Sequence, residues 1–436
     1  MAVDPARRLS FDVLRAVDGS DAYANLELAR LIRERRLDGR DAAFATELTS
    51  GTLRMRGAYD AVIDALVTRP LDPPVRDALR LGCHQLLSMR VPAHAAVATT
   101  VSLVRTAIGH RPSGLVNAVL RRVGARTLPE WMDHLDATPA VRASHPQWVV
   151  DLLAEALGDD PTALLEADND APRVTLVARP GLATVEELGG RALPVSPYAV
   201  ELESGDPSAI PAVREGRAGV QDAGSQLVAL ALAAAPVEGR DRLWLDLCAG
   251  PGGKAALLGA LAAGRGATLI ANERQPHRAV LVASGARALP PGALKVVAGD
   301  GTAPAWRPGT FDRVLVDAPC TGLGALRRRP EARWRRRPED LDALVPLQNA
   351  LLHAALDSVR PGGVVGYATC SPVPAETAEV VRAVLAVRDD VRLLEAPPLV
   401  GWVEAASSRT LPGAVQLWPH LHGTDAMFLS LLRRAG

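Results

Sequence analysis

Lysine is almost missing from this sequence. Of 49 basic side chains only Lys254 and Lys295 are lysines, so arginine carries nearly all the positive charge. Aromatic residues make up 3% against 48% hydrophobic residues overall, which leaves Leu, Val and Ala to build the cores. Such cores suit helices and parallel strands better than a β-sandwich. The four cysteines, Cys83, Cys248, Cys320 and Cys370, show no CxxC spacing. That excludes the usual zinc sites and a secreted disulfide framework and predicts free thiols. The nine histidines form no HExxH or HxxxH arrangement, and no metal is expected. No apolar run reaches the roughly 18 residues that span a bilayer, and the start, MAVDPARRLSFDVLRAV, lacks a continuous apolar signal segment. These absences predict a soluble cytoplasmic protein with no membrane partner. Net charge is zero, so any polyanion must be met by a local patch.

What is present divides the 436 residues into modules, since one compact domain seldom grows so long. Up to about Arg122 apolar residues recur at three- and four-residue spacing, as in ANLELARLIRERRL and RDALRLGCHQLLSM, and strand-like alternation is absent. An all-helical bundle follows, with Cys83 and His84 in its packing. RPSGLVNAVLRRV reads as a capped helix with Ser113 near its start. The segments AFATELTSGTLRMRGAYDAVI, VPAHAAVATTVSLV and GLVNAVLRRV resemble the NusB-like helical domain, which implies an RNA-binding module over residues 1–126. Pro129, Pro139 and Pro146 then interrupt any long helix, which predicts a linker. A small α+β module is expected over 140–215 and a third domain over 216–436.

In the third domain the period changes. LWLDLCAG, TLIANE, LKVVAGD, DRVLVDAP and GGVVGYATC read as strands alternating with helices, the pattern of an α/β doubly wound, Rossmann-like parallel sheet. Ligands of such sheets bind at the carboxyl ends of the strands. The first strand runs into a glycine-rich turn, Cys248, Ala249, Gly250, Pro251, Gly252, Gly253 and Lys254, with neither the GxxxxGK[ST] nor the GxGxxG spacing of phosphate loops. Glu273 ends the second strand, where an acid can accept both hydroxyls of a ribose, and Asp300 follows the third, placed for an adenine amino group. A nucleoside site without a phosphate loop favours S-adenosylmethionine over NAD or ATP.

The fourth and fifth strands end in Asp317 with Cys320 and in Cys370, so two thiols face one cleft. Carbon 5 of cytosine is a poor nucleophile, but a thiolate added to carbon 6 makes an enamine whose carbon 5 can take a methyl group. Asp317 can hold the N3 and N4 edge of the base. The residues alone do not choose between the two cysteines as nucleophile.

DLCAGPGGK, DAPCTG with its arginine-rich continuation, and YATCSPVPAE together resemble the RNA cytosine-C5 methyltransferases, and with the helical front they resemble the bacterial RsmB (Sun) type acting on 16S rRNA. The resemblance implies Cys370 as nucleophile, Cys320 in product release, and Asp317 and Lys254 in catalysis. It places S-adenosylmethionine on Cys248 to Lys254, Glu273, Asp300 and Asp317, with Arg278 nearby. Gly250 departs from a common alanine, Glu273 from a common aspartate, and PAET from an acidic pair with asparagine, leaving the role of Glu376 open. RRRPEARWRRR is the strongest basic run in a neutral chain, and Arg327, Arg328, Arg329, Arg333 and Trp334 are expected to contact RNA. The chain is expected to act as a monomer. The competing reading is a non-catalytic RNA-binding or ribosome assembly factor on the same fold.

Overall fold

The computed structural model describes residues 4–20 and 23–436; residues 1–3 and 21–22 of the expected front module lie outside it. The chain forms two compact units. One comprises the chain up to Asp151 together with Asp160–Ala171 and Leu326–Arg336, the other Leu152–Asp159, Pro172–Ala325 and Arg337–Gly436.

The first unit is helical, as its periodicity requires. Its main helices are Pro5–Ser20, Ala24–Arg35, Gly39–Arg54, Arg56–Leu66, Pro73–Leu87, Ala93–Ala107 and Ser113–Val123. Their apolar stripes meet in one core that includes Leu9, Leu48, Ile63, Leu79, Leu103 and Leu120, all fully buried. Cys83 is buried there too, and His84 shares a 2.8 Å hydrogen bond with the Tyr59 hydroxyl. Asp38 caps the third helix by accepting from the Asp41 amide, and Pro73 starts the fifth. Ser113 does not cap its helix as expected; its hydroxyl instead donates back to the His110 carbonyl at 2.7 Å. Pro129 and Pro139 do not make a linker either. Each lies in the first turn of a short helix, Leu128–His134 and Pro139–Arg142, behind capping residues Thr127 and Thr138. Proline at that position loses no hydrogen bond.

The second unit contains two sheets. The small one has strands β1 (Thr175–Ala178), β2 (Arg191–Ala192), β3 (Ala199–Glu201) and β4 (Ala218–Val220) in the order β2-β3-β1-β4. Within the stretch 140–215, residues up to Asp151 and Asp160–Ala171 group with the first unit and Leu152–Asp159 with the second, as does the small sheet, which runs on to Val220. The joining bonds come from the buried Gln226, whose amide donates to Leu176 O at 3.2 Å and accepts from Ser196 Oγ at 2.7 Å. Gln226 sits on the helix Ala223–Ala234, capped by Asp222.

The large sheet is built from β5 (Leu243–Asp246), β6 (Thr268–Glu273), β7 (Leu294–Ala298), β8 (Phe311–Asp317), β9 (Val359–Thr369), β10 (Val391–Leu394), β11 (Val415–Gln416) and β12 (Phe428–Arg434). Its order is β10-β12-β9-β8-β5-β6-β7, with β11 against β12. The five expected strands, β5 to β9, pair in parallel, and β12 returns antiparallel to β9. Both faces are covered. Leu315 and Val364 pack with the helices Ala223–Ala234 and Gly253–Ala263, while their neighbours Val314, Val316 and Val365 pack with Asp340–Ser358 and Ala378–Leu385. Burial on both faces is what gives parallel strands their unbroken apolar runs. No helix among the described residues is long and apolar enough to cross a membrane.

Candidate active site

From β5 the chain first builds outward through β6 and β7, then crosses to β8 on the other side of β5. This reversal opens a crevice at the carboxyl ends of the strands. Every strand-end residue singled out in the sequence lies along that edge.

After β5 the chain turns tightly. Gly252 has φ of +114°, and a Cβ there would stand 2.9 Å from the Val282 backbone, so only glycine allows the approach. The helix Gly253–Ala263 starts at once, and its first amides have no intrahelical acceptor. Glu273, 5% exposed, accepts from the Gly250 amide at 2.9 Å through one oxygen and from the Gln275 amide at 2.9 Å through the other. Arg278 donates to the Gly250 carbonyl at 2.6 Å, with its Nε 3.8 Å from Glu273. A Cβ on residue 250 would fall 2.0 Å from Glu273 Oε2. The exposed Asp300 holds the Thr302 amide and hydroxyl at 2.9 and 2.7 Å, and these bonds pull its carboxyl below the ordinary range.

Deeper in the crevice, Lys254 Nζ lies 2.9 Å from Asp317 Oδ2. Burial alone would push the Lys254 ammonium down, but the charge and hydrogen bond of Asp317 reverse this and raise it, with smaller contributions from Cys370 and Asp246. Asp246 is 1% exposed, and its oxygens make no hydrogen bond of ordinary geometry. Burial, then the charge of Asp317, pushes it to about 8. The half-buried Cys248 thiol is also pushed up, first by burial and then by these carboxylates. These residues fit S-adenosylmethionine. Each Glu273 oxygen keeps a lone pair for a ribose hydroxyl, and the buried Asp246 carboxyl, mostly protonated at neutral pH, has hydrogen-bonding capacity left for a polar group of the ligand.

The two expected thiols meet. Cys320 Sγ and Cys370 Sγ are 3.4 Å apart, both cysteines half-buried and neither in a disulfide. The Cys320 thiol is pushed well above its ordinary range, first by its hydrogen bond to Cys370, then by burial and by the charges of Cys370 and Glu376.

Sequence reasoning missed the groups that hold these turns. Buried Glu376 accepts from the Thr321 amide, the Thr321 hydroxyl and the Gln348 side chain. Thr321 stands beside Cys320 and could have raised the question; nothing in the sequence marks Gln348.

The arginine run is placed quite differently from the expectation. Leu326–Arg336 belongs to the helical unit, and Arg333 within it is completely buried. Its guanidinium donates to Ser144 O at 3.1 Å, Asn169 Oδ1 at 2.8 Å and Asp168 O at 3.2 Å. Burial lowers it only to about 10, so it stays charged. Arg327 is 8% exposed, and half-buried Trp334 donates its indole N–H to Leu53 O at 3.1 Å. Arg328 is half-buried, and the exposed Arg329 lies over the Tyr23 ring. The Arg333 and Trp334 side chains thus donate to acceptors within the helical unit, and Arg327 and Arg333 are buried, where the sequence reading expected all three at RNA.

A doubly wound sheet with a nucleoside turn and reactive side chains at the neighbouring strand ends defines a Rossmann-like, S-adenosylmethionine-dependent methyltransferase. Comparison with known proteins specifies it further. The family profile described as 16S rRNA methyltransferase RsmB/F matches residues 231–433, and that of the NusB family matches residues 4–125. A Mycobacterium tuberculosis protein that carries a methyltransferase name is 51% identical over 450 residues, covering 99% of this chain and 97% of its own. The ribosomal RNA small subunit methyltransferase B of an Escherichia coli strain is 34% identical over 396 residues, 87% of this chain and 89% of that one. The crystal structure of PH0851 shares the fold, with a TM-score of 0.82 at 21% identity and full coverage of both chains. The chain belongs to the RsmB/F family of 16S rRNA methyltransferases and carries a NusB-family domain at its front. It is an RNA methyltransferase that uses S-adenosylmethionine.

Proposed function

We propose that this protein methylates carbon 5 of a cytosine in 16S rRNA, in the cytoplasm, through a covalent bond between Cys370 and carbon 6 of the base. The thiol pair at 3.4 Å carries this reading, because a non-catalytic assembly factor on the same fold has no use for it. Cys370 is the nucleophile and Cys320 its neighbour at 3.4 Å, the roles that the resemblance implies. Lys254 lies close enough for Cys370 to act on its titration, so its ammonium favours a thiolate on that side. Asp317, oriented by Lys254, accepts from the N4 amino group as charge develops on the base. Bound S-adenosylmethionine supplies the electrophilic methyl group. Once carbon 5 is substituted, its proton must leave and the thioether must break, and Cys320 is the neighbouring group placed to assist.

Replacing Cys320 with Ala is therefore expected to stall the reaction after addition. A protein–RNA adduct that survives denaturing electrophoresis should accumulate, and it should be absent when Cys370 is also replaced. Normal turnover without adduct would remove Cys320 from the release step.

With Arg327 and Arg333 buried, RNA contact is assigned to another basic stretch. Between Asp77 and Glu130 there is no carboxylate at all. Arg90, Arg105, Arg111, Arg121, Arg122 and Arg126 in that stretch are exposed, and none is in an ion pair among the described residues. Neutralising Arg111, Arg121 and Arg122 with Gln should weaken RNA binding regardless of sequence. The slope of log affinity against log salt should flatten by about 0.7–0.9 for each phosphate that no longer meets a cation. An unchanged slope would assign RNA contact elsewhere.

A further inference from the structure

We propose that Glu376 is a positioning residue that locks the two cysteine-bearing turns together and decides which thiol attacks. The proposal rests on the covalent reading above and deepens it. Glu376 is 0% exposed, and no step of the reaction uses it directly. It lies six residues after Cys370, in the turn Pro374–Glu376, yet its carboxylate is spent on the other turn. One oxygen accepts from the Thr321 amide at 2.8 Å and from Gln348 Nε2 at 3.0 Å; the other accepts from the Thr321 hydroxyl. Thr321 immediately follows Cys320. The same hydroxyl is 3.2 Å from Ser371 Oγ, next to Cys370. Gln348, on the helix Asp340–Ser358, also donates to the carbonyl of Pro319, the residue before Cys320, at 2.8 Å. The Gly324 amide donates to the Cys370 carbonyl at 2.9 Å, and the Tyr367 hydroxyl donates to the Glu376 carbonyl at 2.7 Å. Residues on both sides of Cys320 are thus tied to residues on both sides of Cys370. The sulfur separation is set by this lattice.

Charge adds direction to geometry. Lys254 from the turn after β5 interacts with Cys370, while Tyr367 on β9 and Glu376 interact with Cys320. The Lys254 cation is felt on the Cys370 side and the Glu376 carboxylate on the Cys320 side. A negative charge disfavours a thiolate beside it and a positive charge favours one. Glu376 therefore keeps the proton on Cys320 and leaves Cys370 as the reactive sulfur. The choice that residue chemistry left open is made by a carboxylate outside the cleft.

The test is site-resolved alkylation. Wild type, Glu376→Gln and Thr321→Val are treated with iodoacetamide from neutral to alkaline pH, and each cysteine is quantified by mass spectrometry. In wild type Cys370 should react faster than Cys320. Glu376→Gln keeps the shape of the clamp but removes its charge, so Cys320 should lose its proton at lower pH and react roughly tenfold faster at a given pH. For the same variant kcat should fall while KM for RNA and for S-adenosylmethionine stays put. Thr321→Val, which removes the shared hydroxyl only, should narrow the preference between the cysteines and serves if the first variant does not fold. An unchanged alkylation profile in the folded variants, or a loss confined to KM, overturns the proposal. Absence of any RNA adduct would overturn the covalent reading instead and leave the alkylation result standing.

Discussion

Cys370→Ala should remove methyl transfer altogether while leaving S-adenosylmethionine binding in place. Without a sulfur to add to carbon 6, carbon 5 of the base keeps its low nucleophilicity, and no neighbouring group can repair this. Cys320 is only 3.4 Å away, but with the Cys370 hydrogen bond gone, burial and the Glu376 charge still hold its proton, and its turn is anchored through Thr321. The expected loss is at least about 10⁴-fold, or roughly 5.5 kcal/mol of transition-state stabilisation. Serine at 370 should do no better, since a hydroxyl is a far weaker nucleophile at neutral pH. Single-turnover transfer of labelled methyl to RNA reads the effect, with calorimetry showing that the cofactor still binds. More than about one per cent of wild-type rate in Cys370→Ala would reject covalent catalysis by this residue.

The largest effect on stability is expected from Arg333→Ala. The side chain is completely buried, and its removal strips hydrogen bonds from Ser144 O, Asn169 Oδ1 and Asp168 O while opening a cavity. Leaving buried acceptors unsatisfied and a void behind costs on the order of 3–5 kcal/mol. For a unit of this size that is a fall of roughly 10 °C in the midpoint of its unfolding transition. Lysine should recover little of it, because an ammonium cannot reach three acceptors in a planar fork. Buried His145 adds a reason for retaining the pairing: the Arg333 charge and, above all, burial keep its imidazole neutral. A calorimetric scan of the full chain reads the result; a midpoint within 2 °C of wild type, about the shift of a surface change, would show that the buried guanidinium contributes little.

Both predictions lie where the sequence was least evenly legible. The parallel strands were readable because burial on both faces writes them as short apolar runs, each stopping at a polar or thiol residue that the crevice needs. The helical front was readable from its period. By contrast β10, β11 and β12 gave no signal: FLSLLRR is too uniform to alternate, and its pairing partner, β9, lies some sixty residues away. Arg333 misled for a related reason. A run of arginines reads as a solvated face, and the carbonyls that take one of them inside come from Ser144 and Asp168, which no local pattern connects to it. Glu376 was visible as a residue but not as a link, since its partners Thr321 and Gln348 are 55 and 28 positions away.

The turn after β5 and the end of β6 also change how departures from a family pattern should be counted. Gly250 and Glu273 look like two independent deviations, a methyl group missing at one place and a methylene gained at another. Yet Glu273 Oε2 occupies the space that a Cβ on residue 250 would need, 2.0 Å from it. The longer acid and the missing methyl therefore share one volume. A methyl group added at residue 250 alone would have to displace the Glu273 carboxylate from the Gly250 amide it now holds.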